Sequence, residues 1–332
     1  MRKCLRVCTV VLAVAGGVAY AGEPSSGALP GTALVSGLFQ LDEMDLHLHC
    51  GMERQVPMQE WIDLAVKDGR KVIVVLDHIE LYRKTPDELA DWTKNQGLQQ
   101  WYPLGFEGQK AFLDDAASLR VRNDVITFRG WEISETELDE ELDTEPMRLA
   151  EVIGWHISPN SPGDAPNGQS LIKRIRQILE VQKQFPVPMI VFHPFSMRME
   201  KVQKVARKAG KDIKSLTVED YRFFKPGEQE EVAALLRGQS VYIEMAHGTS
   251  GYWDDPVARA AFIADIKPLA ERGVQFTVST DGHHVNGARK PFEPEVYCAE
   301  TGITPQNTNT LVRELLAIRT RNSVVQQISK TR

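Results

Sequence analysis

The sequence predicts an α/β fold in which parallel strands alternate with helices and close into a barrel. Three observations point there. Seven short apolar, β-branched runs alternate with helix-like stretches along the chain, the pattern of repeated strand–helix units rather than of a two-layer fold. Runs such as Val72-Ile-Val-Val-Leu are apolar without a break, as in strands buried on both faces. Six of the eight histidines stand at or just past the end of such a run. Side chains at one end of successive parallel strands converge, and in such barrels the reactive groups lie at the C-terminal strand ends.

Residues 1–21 belong to a different segment. Arg2, Lys3 and Arg6 precede an apolar stretch from Val7 to Val18, and Ala19-Tyr20-Ala21 supplies a small-x-small cleavage pattern. This reads as an export signal cut after Ala21; the apolar part falls short of the roughly 20 residues of a membrane span. The expected location is periplasmic or secreted, with no membrane attachment after cleavage. Residues 22–36, rich in Gly, Pro, Ser and Ala, read as a flexible arm. Residues 37–332 carry no linker or repeat and read as a single domain.

The first strand ends at His49, and a helix starts near Pro57 with Trp61, Ile62, Leu64 and Ala65 as its apolar face. Residues 71–77 form the next strand. Thr85-Pro-Asp-Glu opens a helix with a capping hydroxyl and two acids at the positive end of the dipole. A helix over 107–122 leads to a strand over 125–132. Strands at 152–157 and 187–193 flank a helix at 169–184. Helices at 201–208 and 228–237 precede a strand at 241–245. A helix at 256–272, a strand at 274–280 and a closing helix at 308–328 complete the pattern.

The formal charge of −6 argues against a nucleic-acid binder. After signal removal two cysteines remain, Cys50 and Cys298. An exported compartment permits a disulfide between them. Cys50 follows His49 and could equally be a metal neighbour or a small buried residue, the reading favoured here.

The chemistry lies in the strand-end residues. Asp45-Leu-His47-Leu-His49 places two imidazoles on one strand face, as two ligands of one ion require. Asp77-His78, Gly130-Trp-Glu132, Trp155-His156, His193-Pro194 and Ser279-Thr-Asp281-Gly-His283 each add a ligand-competent side chain in the same setting. Imidazoles and carboxylates converging on one pocket are metal-site chemistry.

In this order the motifs resemble those of the PHP (polymerase and histidinol phosphatase) family: Asp-x-His-x-His, Asp-His, Gly-x-Glu, His, His-Pro and Ser-Asp-x-His. The resemblance runs from His47 to His283, with Ser279 displaced by one position. It implies a distorted (β/α)7 TIM-like barrel, two or three divalent ions (Zn, Mn or Fe) and hydrolysis of phosphate esters. Carried over, His47, His49, Glu132 and Asp281 hold one metal. Glu132 bridges to a second that also takes His156 and His193. His78 and His283 belong to a third, which family members complete with a His or Asp just beyond the His-x-His; this chain offers Glu53, one residue closer than usual.

Two ions sharing a carboxylate can activate water at neutral pH and neutralise the oxygens of an in-line displacement. Asp281 and His283 are the candidates for passing a proton to the leaving group, and Asp77 for orienting His78. Arg83, Arg198 and Lys201 follow motif strands and are candidate phosphate contacts. His284 and His247 stand near the pocket outside the motif positions. Seven acids between Glu135 and Glu145 form either a solvated segment or a negative rim at the barrel mouth. The loops after His156 and His247 are long enough to frame a substrate, with Tyr252 and Trp253 as an aromatic wall.

The combined expectation is an exported metal-dependent hydrolase, a phosphoesterase on a small substrate. The alternatives are hydrolysis of a non-phosphate ester, lactone or amide, and a non-catalytic metal-binding module. Oligomeric state is left open.

Overall fold

Seven parallel strands follow one another in sequence order around a single sheet: β1 (Met44–His49), β2 (Val72–His78), β3 (Ile126–Ser134), β4 (Val152–His156), β5 (Met189–Phe192), β6 (Val241–Ala246) and β7 (Phe276–Ser279). The computed structural model describes residues 38–52, 57–96, 102–119, 124–139, 142, 144–157, 167–196, 198–283, 285 and 293–330. The leader at 1–21, the arm at 22–36, Glu53, His284 and most of the loop after His156 lie outside them.

Closure occurs between the first and last strands. Just beyond β7, Gly282 bridges Leu48, with His49 N donating to Gly282 O at 2.8 Å and Gly282 N to His47 O at 3.2 Å. The sheet is thereby a (β/α)7 barrel, as the alternation predicts. The residues of β2 are buried up to His78, which is half-buried, because one face meets the barrel interior and the other the surrounding helices.

The outer layer comprises α1 (Met58–Lys67), α2 (Pro86–Gln96), α3 (Phe106–Ser118), α4 (Thr144–Leu149), α5 (Gly168–Gln184), α6 (Arg198–Lys208), α7 (Val218–Tyr221), α8 (Glu228–Leu236), α9 (Pro256–Glu271), α10 (Pro294–Thr301) and α11 (Pro305–Lys330). Trp61 of α1 donates its indole N–H to His49 O at 2.7 Å, fastening the helix to the reactive end of β1. Asn167 caps α5 and Asp255 caps α9, each accepting from main-chain N–H groups of the first turn.

Several boundaries differ from the sequence expectation. The closing helix begins at Pro305 rather than 308, because proline suits the first helical position. The acidic stretch contains a 3-10 turn (Glu135–Asp139) and then α4, and Trp131 pins that helix by donating to Pro146 O at 3.0 Å. The short α7 and α10 were not anticipated. Cys50 and Cys298 are buried free thiols, so the disulfide alternative is not realised. Burial lifts both thiols well above their ordinary pKa.

Candidate metal centre

The inward positions at the C-terminal strand ends converge on Glu132. This carboxylate is fully buried on β3, where it pairs in register with His78 of β2. Its Oε2 lies 2.7 Å from His47 Nε2, 3.0 Å from His49 Nε2 and 3.7 Å from His78 Nε2. Its Oε1 lies 3.0 Å from His156 Nδ1 and 3.5 Å from His193 Nε2. Asp281 approaches the same imidazoles, with Oδ1 3.3 Å from His49 Nε2 and Oδ2 3.8 Å from His193 Nε2.

Backbone geometry explains how adjacent residues reach one pocket. Successive strand residues normally point to opposite faces, yet Phe192 and His193 both face His47, with ring centroids 3.8 and 5.0 Å away. The switch is made by His193 itself, whose φ is +56°. Asp281 has φ +53°. A left-handed backbone is disfavoured for residues with a Cβ, and it concentrates where the surroundings hold a functional group in place. Gly154 on β4 leaves the space that the Phe192 ring fills; a Cβ there would collide with that ring.

The electrostatics are strongly coupled. Burial opposes charge on His47, but Glu132 and Glu244 outweigh it and hold the imidazole up to about 10. Burial likewise opposes charge on His193, while Asp281, Glu244 and Glu132 raise it to about 9. The same pairs act in reverse on the carboxylates. Burial would raise Glu132 and Asp281, yet the surrounding imidazoles hold both below the usual carboxylate range.

These residues fit divalent metal. His47 Nδ1 faces Glu244 Oε1 at 2.6 Å, which places the proton of a neutral ring there. Its Nε2 lone pair then confronts Glu132 Oε2 and, at 2.9 Å, His49 Nε2. Acceptors this close require a proton or a cation between them. Glu132 Oε1 and Asp281 Oδ1 are buried with no hydrogen-bond donor in proper geometry among the described residues, a situation native structures rarely tolerate. Nitrogen and carboxylate donors in this mixture suit Zn, Mn and Fe.

Four ligand triads overlap: His47–His49–Glu132, His78–Glu132–His156, His49–Asp281–His283 and His47–His193–Glu244. The sequence-predicted His47, His49, His78, Glu132, His156, His193, Asp281 and His283 are therefore brought together. The grouping differs from the family-derived one: His78 sits with Glu132 and His156, whereas His283 sits with His49 and Asp281.

The supporting residues depart further from expectation. His78 N donates to Asp77 Oδ1 at 2.9 Å, while the His78 ring presents Nδ1 to Glu80 at 2.9 Å. Asp77 Oδ2 accepts from Met52 N and the Tyr82 hydroxyl at 2.6 and 2.7 Å, so it anchors the segment after β1 as well as the start of the next turn. Arg83 pairs with Glu137 at 2.6 Å. Arg198 donates to the carbonyls of Tyr221 and Arg222 at 3.3 and 2.5 Å, clasping the end of α7. Of the three candidate phosphate cations, these two are thus engaged within the protein. Lys201 lies on α6, beyond that clasp.

Glu244 escaped the sequence reading. It is buried on β6, accepts from Ser279 Oγ at 2.6 Å and from His193 N at 2.8 Å, and holds His47. The signal was present: it is the one charged residue in the apolar strand Val241-Tyr-Ile-Glu-Met-Ala, and buried carboxylates need partners.

No family model and no curated protein matches the sequence. Among solved structures, the chain is similar to histidinol phosphate phosphatase from Lactococcus lactis, crystallised with zinc, L-histidinol and phosphate. The identity is 13%, the alignment covers 79% of this chain and 92% of that one, and the TM-score is 0.46. An Agrobacterium tumefaciens protein solved in its apo form shares 13% identity over 78% of this chain and 84% of that one, with a TM-score of 0.37. Dihydroorotase from Campylobacter jejuni shares 16% identity over 84% and 82%, with a TM-score of 0.31. At scores this low, the barrel rests on the strand order and closure described above.

Proposed function

We propose that this chain is an exported, metal-dependent hydrolase that acts on a small phosphate ester. One observation carries the reading: five imidazoles approach the buried Glu132 carboxylate within 3.7 Å. His47, His49, Glu132, Asp281, His156 and His193 are the residues that would hold two ions, with His78 adding a nitrogen beside Glu132 and His156 and His283 one beside His49 and Asp281. Such ions, when bound, supply Lewis-acid polarisation and bring the pKa of water towards ~7.

The chain's own residues do the rest. Glu244 fixes His47 with its proton on Nδ1, and Glu80 does the same for His78, so both rings turn Nε2 inward. His283 Nδ1 lies 2.9 Å from Asp281 O, which orients the ring over the centre. At 24% side-chain exposure His283 stands at the mouth, beside Asp281 at 32%; with Asp281 held ionised by its imidazole neighbours, the His283 ring is the group placed to pass a proton to a leaving group. Phe192, fully buried, stacks on His47 at 3.8 Å and forms the floor beneath it.

The order of the six motifs supports a phosphate ester, and the basic, apolar and small-x-small order of residues 1–21 supports export. A second reading is favoured by the engagement of Arg83 and Arg198 within the protein: the same centre acting on a non-phosphate ester, lactone or amide. The test is turnover of phosphomonoesters, phosphodiesters, lactones and amides by purified protein loaded with Mn, Zn or Fe. Metal-dependent release of phosphate that is lost on chelation is the expected result. Turnover of non-phosphate substrates alone selects the second reading. Bound metal without any turnover reduces the protein to a metal-binding module.

A further inference from the structure

Asp281 is flanked by two residues that are both tied to β1. On its C-terminal side, Gly282 exchanges hydrogen bonds with His47 O and His49 N at 3.2 and 2.8 Å. On its N-terminal side, Thr280 donates its main-chain N–H to Asp45 Oδ1 at 2.8 Å and its hydroxyl to Asp45 Oδ2 at 2.7 Å. Asp45 is fully buried, and the guanidinium of Arg70, itself 5% exposed, donates to the same Oδ2. Between these two anchors Asp281 adopts its left-handed backbone with φ +53°.

We infer that Asp45, held by Arg70, is the positioning residue that sets Asp281 against the metal centre. The inference rests on the metal reading above. The β1–β7 seam has no strand ladder at this level, so the Asp45 side chain supplies the pairing that main chain supplies elsewhere in the barrel. A carboxylate that accepts both the N–H and the O–H of one residue fixes the position of that residue and the exit direction of the next. A buried ion pair gives weak net stabilisation after desolvation; here its geometric product is a strained ligand aimed at His49 and His193. Arg70 donates to the same carboxylate that accepts both Thr280 contacts, and so fixes its orientation.

The experiment uses the full-length protein and two variants, Thr280→Val, which removes only the hydroxyl donor, and Asp45→Asn, with Thr280→Ser as the rescue. Two quantities are read: hydrogen–deuterium exchange of the 279–283 segment in metal-free protein, and the affinity for Mn or Zn by chelator competition. Thr280→Val is expected to raise exchange in that segment at least about tenfold. It should also weaken metal binding by roughly 10–100-fold, the usual effect of removing a group that orients a ligand, with both restored in Thr280→Ser. Should Thr280→Val fold poorly, Asp45→Asn is expected to move both readouts in the same direction. Unchanged exchange in the variants, or raised exchange with unaltered metal affinity, overturns the inference, as does a mere fall in melting temperature. Wild-type protein that takes up no metal overturns the metal reading instead, and the exchange measurement still decides whether Asp45 holds the Asp281 segment.

Discussion

His47 Nδ1 lies 2.6 Å from Glu244 Oε1, which keeps the ring proton on that side and turns Nε2 toward Glu132. Removing that partner leaves the ring free to choose the other tautomer, in which Nε2 carries the proton and cannot ligate. Glu244→Gln is therefore expected to weaken metal binding by about 10–100-fold, measured by competition with a chromophoric chelator. Glu132→Gln is expected to lower the bound metal content itself, because this one carboxylate is shared by two of the ligand triads; elemental analysis of dialysed protein checks it. The motif residues were legible because each ends an apolar run in a recognisable pairing such as His-x-His or His-Pro. Glu244 and Glu80 were not, since their meaning depends on which imidazole lies across the barrel, and sequence separation hides that: Glu244 is 197 positions from His47.

At the level of elements, β4 and β5 form the floor of the site through complementary sizes. Gly154 leaves room for Phe192, and Phe192 stacks on His47 at 3.8 Å. Gly154→Ala puts a methyl into that ring. It is expected to cost about 1–3 kcal/mol, the usual range for overpacking, read from urea unfolding of metal-free protein, and to weaken metal uptake by tilting His47. A stability change with unaltered metal affinity would separate Phe192 from the centre. All seven strands could be placed from sequence because a strand of a parallel barrel is buried on both faces and reads as a short, near-continuous apolar run. The helices were less legible. The four residues of α7 owe their turn to the Thr217–Asp220 capping box, and α10 shows only its punctuation, Pro294 at the start and Gly302 with φ +74° at the end. Neither offers a long amphipathic stripe to read.

For the whole molecule, the centre makes folding, protonation and metal binding one linked system. In metal-free protein, burial works against charge on His47 and His193, but the surrounding carboxylates raise them to about 10 and about 9. A histidine raised above its unfolded value of about 6.5 contributes stability that is fully present below that pH and is lost as pH rises through the folded value. Glu132 and Asp281 are lowered, so their contribution is present above about pH 4 and is lost only in acid. Between about pH 6.5 and 9, then, this centre makes the metal-free chain progressively less stable. Over the same interval the folded imidazoles still hold their protons, which metal must displace, so metal binds more tightly as pH rises. Ligand that binds only the folded state adds RT ln(1 + [L]/Kd), or about 4 kcal/mol at a thousandfold excess over Kd. The gap in melting temperature between metal-loaded and chelator-treated protein should therefore widen from pH 6.5 to pH 9. Metal uptake near pH 7.5 should release protons, seen as a dependence of the calorimetric heat on the ionisation enthalpy of the buffer. A gap that is flat with pH, or uptake without proton release, would mean that His47 and His193 are already neutral in the metal-free protein and that metal replaces no proton there.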